Sequence, residues 1–345
     1  VKTEAVVMHA HGDAGVLTRE TIDLPEPGPR EVRVRVRAVA VNHLDLWVRR
    51  GLPGLKVTFP HRLGSDVVGV VDALGPGARG PAPGERVVVS PGLSCGVCER
   101  CLSGRDTLCR HYAILGEHTS GGYARHVNVP DANLLPWPGD LAFTDVAAVP
   151  LVFLTAWQML VDKARVRPGD VVLVHAAGSG VSTAAIQIAK LFGATVIATT
   201  TSEAKVDKAR ALGADHVILS SSQDFVAEVK RLTGKRGADV IVEHVGGDTM
   251  VKSVLATASG GRIVTCGATT GFTAPVDLRH VFFRQIEILG STMGPKGALF
   301  RILDHVASRR LRPVVDRVLP LWNASDAHRA LEARAAFGKI VLEVD

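Results

Sequence analysis

Residues 171–182 read Val171-Val-Leu-Val-His-Ala-Ala-Gly178-Ser179-Gly180-Val181-Ser182, and the apolar-periodic segment STAAIQIAKLFGA follows to Ala194. A short apolar run entering a glycine-rich turn and leaving as a helix is a strand–turn–helix unit. A dinucleotide pyrophosphate needs a tight turn, close backbone approach and the free N–H groups of a helix start. Gly178 and Gly180 supply the first two, with Ser179 and Val181 beside them in the turn. Ser182 stands where a third glycine usually stands, and serine is small enough for helix–strand packing.

The same alternation continues outward. TVIATT, HVIL, ADVIVEHVGG, GGRIVTCGATTG and IEILGSTMG read as strands separated by helical segments such as SEAKVDKARALGA. Strands alternating with helices imply a parallel, doubly wound sheet, so the fold class is α/β. This places a dinucleotide-binding domain at 151–294. Residues 1–150 differ: Glu31-Val-Arg-Val-Arg-Val-Arg37 alternates as a half-buried strand with arginines toward water, and Pro/Gly clusters such as GPGARGPAPG mark turns. This is a β-rich domain. The tail 295–345 lies outside the alternation and is expected to rejoin it.

The choice of cofactor follows from the end of the second strand of the alternating domain. A carboxylate there bonds the ribose 2′-OH of NAD, but this strand ends Thr199-Thr200-Thr201-Ser202 with Lys205 just beyond. Hydroxyls and a lysine suit a 2′-phosphate, which points to NADPH rather than NADH. Ser202 is also a candidate helix N-cap. Gly267, after the strand GGRIVTC, joins the cofactor-binding candidates.

Cys95, Cys98, Cys101 and Cys109 form the spacing C-x-x-C-x-x-C followed by a seven-residue gap. Four thiols so placed can enclose one tetrahedral zinc. A closed cage leaves no position for substrate, so this is one structural zinc per chain, shaping a lobe at 91–112. Disulfides would need an oxidising compartment, and VKTEAVVMHAHGD lacks the apolar core of a secretory segment. The expected location is cytoplasmic. Cys266 reads as an inert thiol at a strand end.

Net charge is +6 with a pI near 9.2, but the basic residues are scattered without a run of five. This argues against a nucleic-acid stripe, and no apolar stretch approaches a membrane span. An anionic small ligand suits the charge.

The cysteine lobe, AAGSGVS, GGYARHVNVP, LTAWQML and the ending GKIVLEVD together resemble the medium-chain dehydrogenase/reductase superfamily across essentially the whole chain. The resemblance implies a GroES-like β domain, a Rossmann domain and a homo-oligomer, a dimer or tetramer, with IEILGS at a pairing edge. Zinc alcohol dehydrogenases of that superfamily hold a second, catalytic zinc. By resemblance its ligand positions fall at Asn42, Ser65 and near Leu151, and the proton-relay hydroxyl falls at Leu44. None of these suits the task. The patterns Asn42-His43-Leu44-Asp45 and Gly64-Ser65-Asp66 are similar instead to the quinone oxidoreductase branch, which implies NADPH-dependent reduction of quinones or enones without a catalytic metal. That branch usually lacks the cysteine lobe.

Asn42, Asp45, Ser65 and Asp66 are therefore the catalytic candidates, with Asn42 placed to bond a carboxamide or substrate oxygen. Asp45 and Asp66 have an alternative use as buried carboxylates satisfied by backbone donors or arginines. One competing function is an alcohol dehydrogenase whose metal is held by substitutes such as His43 and Asp66. Another is a non-enzymatic, zeta-crystallin-like structural or RNA-binding protein. The expected partner is a small-molecule substrate.

Overall fold

The computed structural model describes residues 1–345 and divides them into two compact units. The first comprises Val1–Leu151, Pro295–Arg309 and Pro313–Asp345; the second comprises Val152–Gly294 with Arg310–Arg312. No helix is long and apolar enough to cross a membrane.

The first unit is built on a seven-stranded sheet. Its order is Val315–Pro320, Lys339–Glu343, Glu31–Ala40, Asp66–Leu74, Arg86–Val89 and Leu134–Pro136, with His126–Pro130 also paired to Glu31–Ala40. The tail strand Lys339–Glu343 runs antiparallel to Glu31–Ala40, with Val341 opposite Ala40. Val32, Val34 and Val36 enter the core, as strand alternation requires. The arginines between them do not all face water. Arg35 is exposed, but Arg33 is buried because Asp72 Oδ2 accepts from its Nε at 2.6 Å and Glu26 Oε2 from its Nη1 at 3.1 Å. A buried guanidinium persists only where it is paired in this way.

The second unit is a six-stranded parallel sheet. Its order is His216–Leu219, Thr195–Thr200, Val171–Val174, Ala238–Glu243, Thr257–Thr265 and Glu287–Gly290. In chain order this is 3-2-1-4-5-6, so the sequence direction reverses between Val171–Val174 and Ala238–Glu243. Ligands of such sheets dock at that reversal, at the carboxyl ends of the strands. Helix Gly180–Leu191 leaves the glycine-rich turn there. The segment expected as one helix from Ser202 is a 3-10 turn, Glu203–Lys205, followed by helix Val206–Ala211. Ser202 sits at the N-cap position without a side-chain cap bond.

Candidate active site and zinc lobe

Helix His43–Arg50 follows Asn42, and strand Asp66–Leu74 follows Ser65, so both candidate segments stand at element starts. Asp45, the third helical residue, turns its carboxylate back to the helix start. Its Oδ2 accepts from Asn42 N at 2.7 Å and its Oδ1 from Gly64 N at 2.9 Å. This binds the two segments together. Gly64 has φ +97°, and a Cβ there would meet Tyr123 Cδ1 at 2.5 Å, so glycine is required. Burial pushes the Asp45 carboxyl up to about 6, against the two backbone N–H groups that hold it down.

Asn42, Asp66 and a residue the sequence reading did not single out, Lys339, form a buried triad. Lys339 Nζ donates to Asp66 Oδ2 at 2.9 Å and to Asn42 Oδ1. Asn42 Nδ2 donates to Asp66 Oδ2 at 3.0 Å and to Ala40 O at 3.3 Å. Leu151 N donates to Asp66 Oδ1 at 2.7 Å. Asp66 is fully buried and Lys339 is 4% exposed, so this ion pair lies out of water. The Asn42 amide spends both of its hydrogens and one acceptor site of its oxygen inside the protein. Its expected role of holding a substrate oxygen is not open to it in this arrangement. Ser65 is the contrasting member: its Oγ is buried and has no hydrogen-bond partner. Lys339 stands in the tail strand, 273 residues from Asp66. The only signal for it was a lysine at an otherwise buried strand position in GKIVLEV.

The cysteine lobe passes a direct geometric test for zinc. The four Sγ atoms lie within 4.8 Å of one another, with contacts of 3.6 Å for Cys98–Cys101 and Cys95–Cys109 and 3.9 Å for Cys95–Cys101. Four sulfurs about 2.3 Å from a tetrahedral zinc stand about 3.8 Å apart. A disulfide needs roughly 2.0 Å. The backbone N–H groups of Val97 and Cys98 draw the Cys95 thiol down to about 6. The N–H of Cys101 acts the same way on Cys98, yet burial and the crowding sulfurs push Cys98 up to about 11. Four thiolates this close need a cation between them. The short strands Gly92–Leu93 and Ala113–Ile114 close the base of the lobe. Asn133 braces it, donating to Ser90 O and Gly92 O and accepting from Lys296 Nζ at 2.7 Å.

In the second unit the dinucleotide candidates gather at the carboxyl ends of the parallel strands. Ser179 caps helix Gly180–Leu191, its Oγ accepting from Ser182 N at 3.1 Å. The N–H groups of Gly180 and Val181 make no backbone bond and are free for a phosphate. Thr200 Oγ1 donates to Ser202 O at 3.3 Å and accepts from Ser202 N at 3.2 Å, tightening the strand tip. Thr201 is exposed there, and Lys205 ends the 3-10 turn that follows. Gly267 O accepts from Thr265 Oγ1 at 3.0 Å. Behind the turn lies a buried chain that the sequence reading missed. His175 Nδ1 meets Thr199 Oγ1 at 3.2 Å, His175 Nε2 meets Ser253 Oγ at 2.9 Å, and Ser253 donates to Glu243 Oε2 at 3.0 Å. Burial pushes His175 down to about 4 and also lowers His244.

Two family descriptions match the chain: an alcohol dehydrogenase GroES-like domain at residues 28–139 and a zinc-binding dehydrogenase domain at 180–308. A 2-haloacrylate reductase from Burkholderia sp is 31% identical over 98% of this chain and 98% of its own length. The chain belongs to the medium-chain dehydrogenase/reductase superfamily. It is an NAD(P)-dependent oxidoreductase acting on a small molecule. The human quinone oxidoreductase is 27% identical over 94% of this chain and 92% of its own length. A crystal structure described as an NAD-dependent alcohol dehydrogenase superposes with TM-score 0.96 at 57% identity, covering 99% of this chain and all of that one. The GroES-like domain and the Rossmann-like parallel sheet are those of the superfamily.

Proposed function

We propose that this oxidoreductase uses NADPH to reduce a quinone, an enone or a related activated carbonyl compound, without a catalytic metal. One observation carries the reading. Asn42 and Asp66, at and beside positions where the resemblance to zinc alcohol dehydrogenases implies metal ligands, are joined by the Lys339 ammonium. The polar atoms a metal would use are already committed to an internal cation. Asn42, Ser65 and Leu151 also offer no ligand set of the kind zinc prefers.

When bound, the reduced nicotinamide supplies a hydride, which an enone accepts at its β-carbon while negative charge gathers on oxygen. Ser65 Oγ is unpartnered but enclosed, so it can donate to that oxygen only where the segments around it open to admit the acceptor. Lys339 fixes Asp66 and Asn42, and the final proton comes from water. The test is a panel of quinones, enones, acrylates, aldehydes and alcohols with NADPH and NADH, alongside metal analysis. The expected result is enone or quinone reduction unaffected by brief chelation. Chelator-sensitive oxidation of simple alcohols would overturn the proposal.

NADPH is favoured by the absence of a carboxylate at the strand tip and by Lys205 beyond it. Lys205→Ala is expected to weaken NADPH roughly 5- to 150-fold, about 1–3 kcal/mol, and leave NADH nearly unchanged. A second reading, NADH with an alcohol, is favoured by the 57% identical protein described as an NAD-dependent alcohol dehydrogenase. Tighter binding of NADH by the unmodified protein would establish that cofactor instead.

A further inference from the structure

Counted from Gly178, the G-x-G-x-x-G spacing puts its third glycine position at Thr183 rather than at Ser182. The Ser182 hydroxyl is fully engaged. Ser182 Oγ donates its one proton to His175 O at 2.6 Å. The same oxygen lies 2.9 Å from His244 Nε2 and 2.8 Å from Ser179 Oγ. With its proton committed, Ser182 Oγ meets both neighbours only as an acceptor, which puts a hydrogen on His244 Nε2. Ser179 Oγ in turn accepts from Ser182 N and lies 3.4 Å from His244 Nε2. Two donors, the His244 ring and the Ser179 hydroxyl, therefore converge on one acceptor. His244 follows strand Ala238–Glu243, which pairs with Val171–Val174 across the reversal of strand order.

We propose that His244 is a positioning residue for the dinucleotide: its Nε2–H holds Ser182, freeing the Ser179 hydroxyl to turn toward a pyrophosphate oxygen. This rests on the dinucleotide reading of the glycine-rich turn and adds a reason for serine at position 182. The Ser179 proton then exchanges one acceptor, Ser182 Oγ, for another, the charged phosphate, and Ser182 remains satisfied throughout.

A double-mutant cycle read by calorimetric binding of NADPH and ADP-ribose, both of which contain the pyrophosphate, tests the assignment. His244→Phe removes the donor, obliges Ser179 to serve Ser182, and is expected to weaken both ligands about tenfold. In a Ser182→Gly background there is no acceptor to serve, and the same change is expected to cost less than about twofold. His244→Asn, whose amide can donate, should recover most of the loss. Equal losses in both backgrounds would mean a merely structural ring, and no loss in the first would leave the residue without a role; either overturns the proposal. If His244→Phe does not fold, Ser182→Ala decides the matter. It should retain affinity within about twofold, because Ser179 is then free, and a tenfold loss overturns the proposal. Unmodified protein that binds neither ligand would overturn the dinucleotide reading along with it, whereas binding that is indifferent to His244 overturns this inference alone.

Discussion

The first unit has two places built for a positive charge, and they differ in almost every physical respect. The cysteine lobe gathers four half-buried or buried sulfurs from 15 consecutive residues, Cys95 to Cys109, on a short loop that a metal can organise. The Asn42–Asp66–Lys339 triad gathers its members from a helix start, a strand start and the tail strand, all buried, and supplies the cation from the chain itself. The first needs an external ion to become rigid. The second exists only once the sheet has formed and the tail strand has paired. A thiolate cage therefore reports on metal supply, and the triad reports on folding.

The strongest way to break this contrast is at the lobe. Structural zinc contributes on the order of 10 kcal/mol of apparent binding energy in small modules. Cys101→Ser is expected to reduce zinc from one per chain toward none and to loosen residues 91–112 to proteolysis. Because the lobe is held at its base by two short strands and the Asn133 brace, none of which involves the metal, the loss stays local, and dinucleotide binding is expected to survive. Metal analysis with limited proteolysis measures this. Two zincs per chain in the unmodified protein would mean that a second metal is bound elsewhere.

The triad should respond oppositely: insensitive to chelators and intolerant of substitution. Removing one partner of a buried ion pair typically costs about 3–5 kcal/mol because the other charge is left alone. Lys339→Met is expected to lose about that much in chemical unfolding, with zinc content unchanged. Lys339→Met that melts like the unmodified protein would show that Asp66 finds another partner and that the triad is not a lock. Carbonyl reduction should fall as well, since Asn42 and Asp66 lose the group that fixes them.

Legibility in the sequence follows the same division. Local patterns were readable: the cysteine spacing, the glycine-rich turn and the β/α alternation all declare themselves within about 20 residues. Asp45 and Asp66 could be named as buried carboxylates, because their segments stood out by resemblance. Lys339 could not be, since nothing in GKIVLEV shows that its strand pairs with Glu31–Ala40 and delivers an ammonium to Asp66. The His175–Ser253–Glu243 chain was hidden for the same reason. Its members come from two strand–helix units, His175 after Val171–Val174 and Glu243 with Ser253 in the unit that begins at Ala238, and the units meet only when parallel strands align. Arg33 was read as facing water because alternation predicts a face and not a partner; Asp72 and Glu26 supply what the pattern omits.

The smallest expected effect concerns the carboxylate that the Lys339 ammonium does not contact. Asp45 has its carboxyl raised from the ordinary 3.8 to about 6, chiefly by burial. Between those values the folded protein keeps a proton that the unfolded chain has released. Stability from this group therefore falls as pH rises through that window and is level above it. Other carboxylates work the other way: burial alone would raise Asp215, but the Val196 N–H and Lys190 outweigh it and hold the carboxyl low, so this group favours the fold as pH rises. The Asp45 contribution must then be read as a difference. Asp45→Asn places an amide against one of two backbone N–H groups and is expected to be less stable at pH 4, by about 1–3 kcal/mol. Relative to the unmodified protein it should recover on the order of 2–3 kcal/mol between pH 4 and pH 7, because it has no proton to lose. Urea unfolding of both proteins across that range measures the difference. A constant gap would mean that Asp45 ionises at its ordinary value, with its two N–H partners outweighing burial.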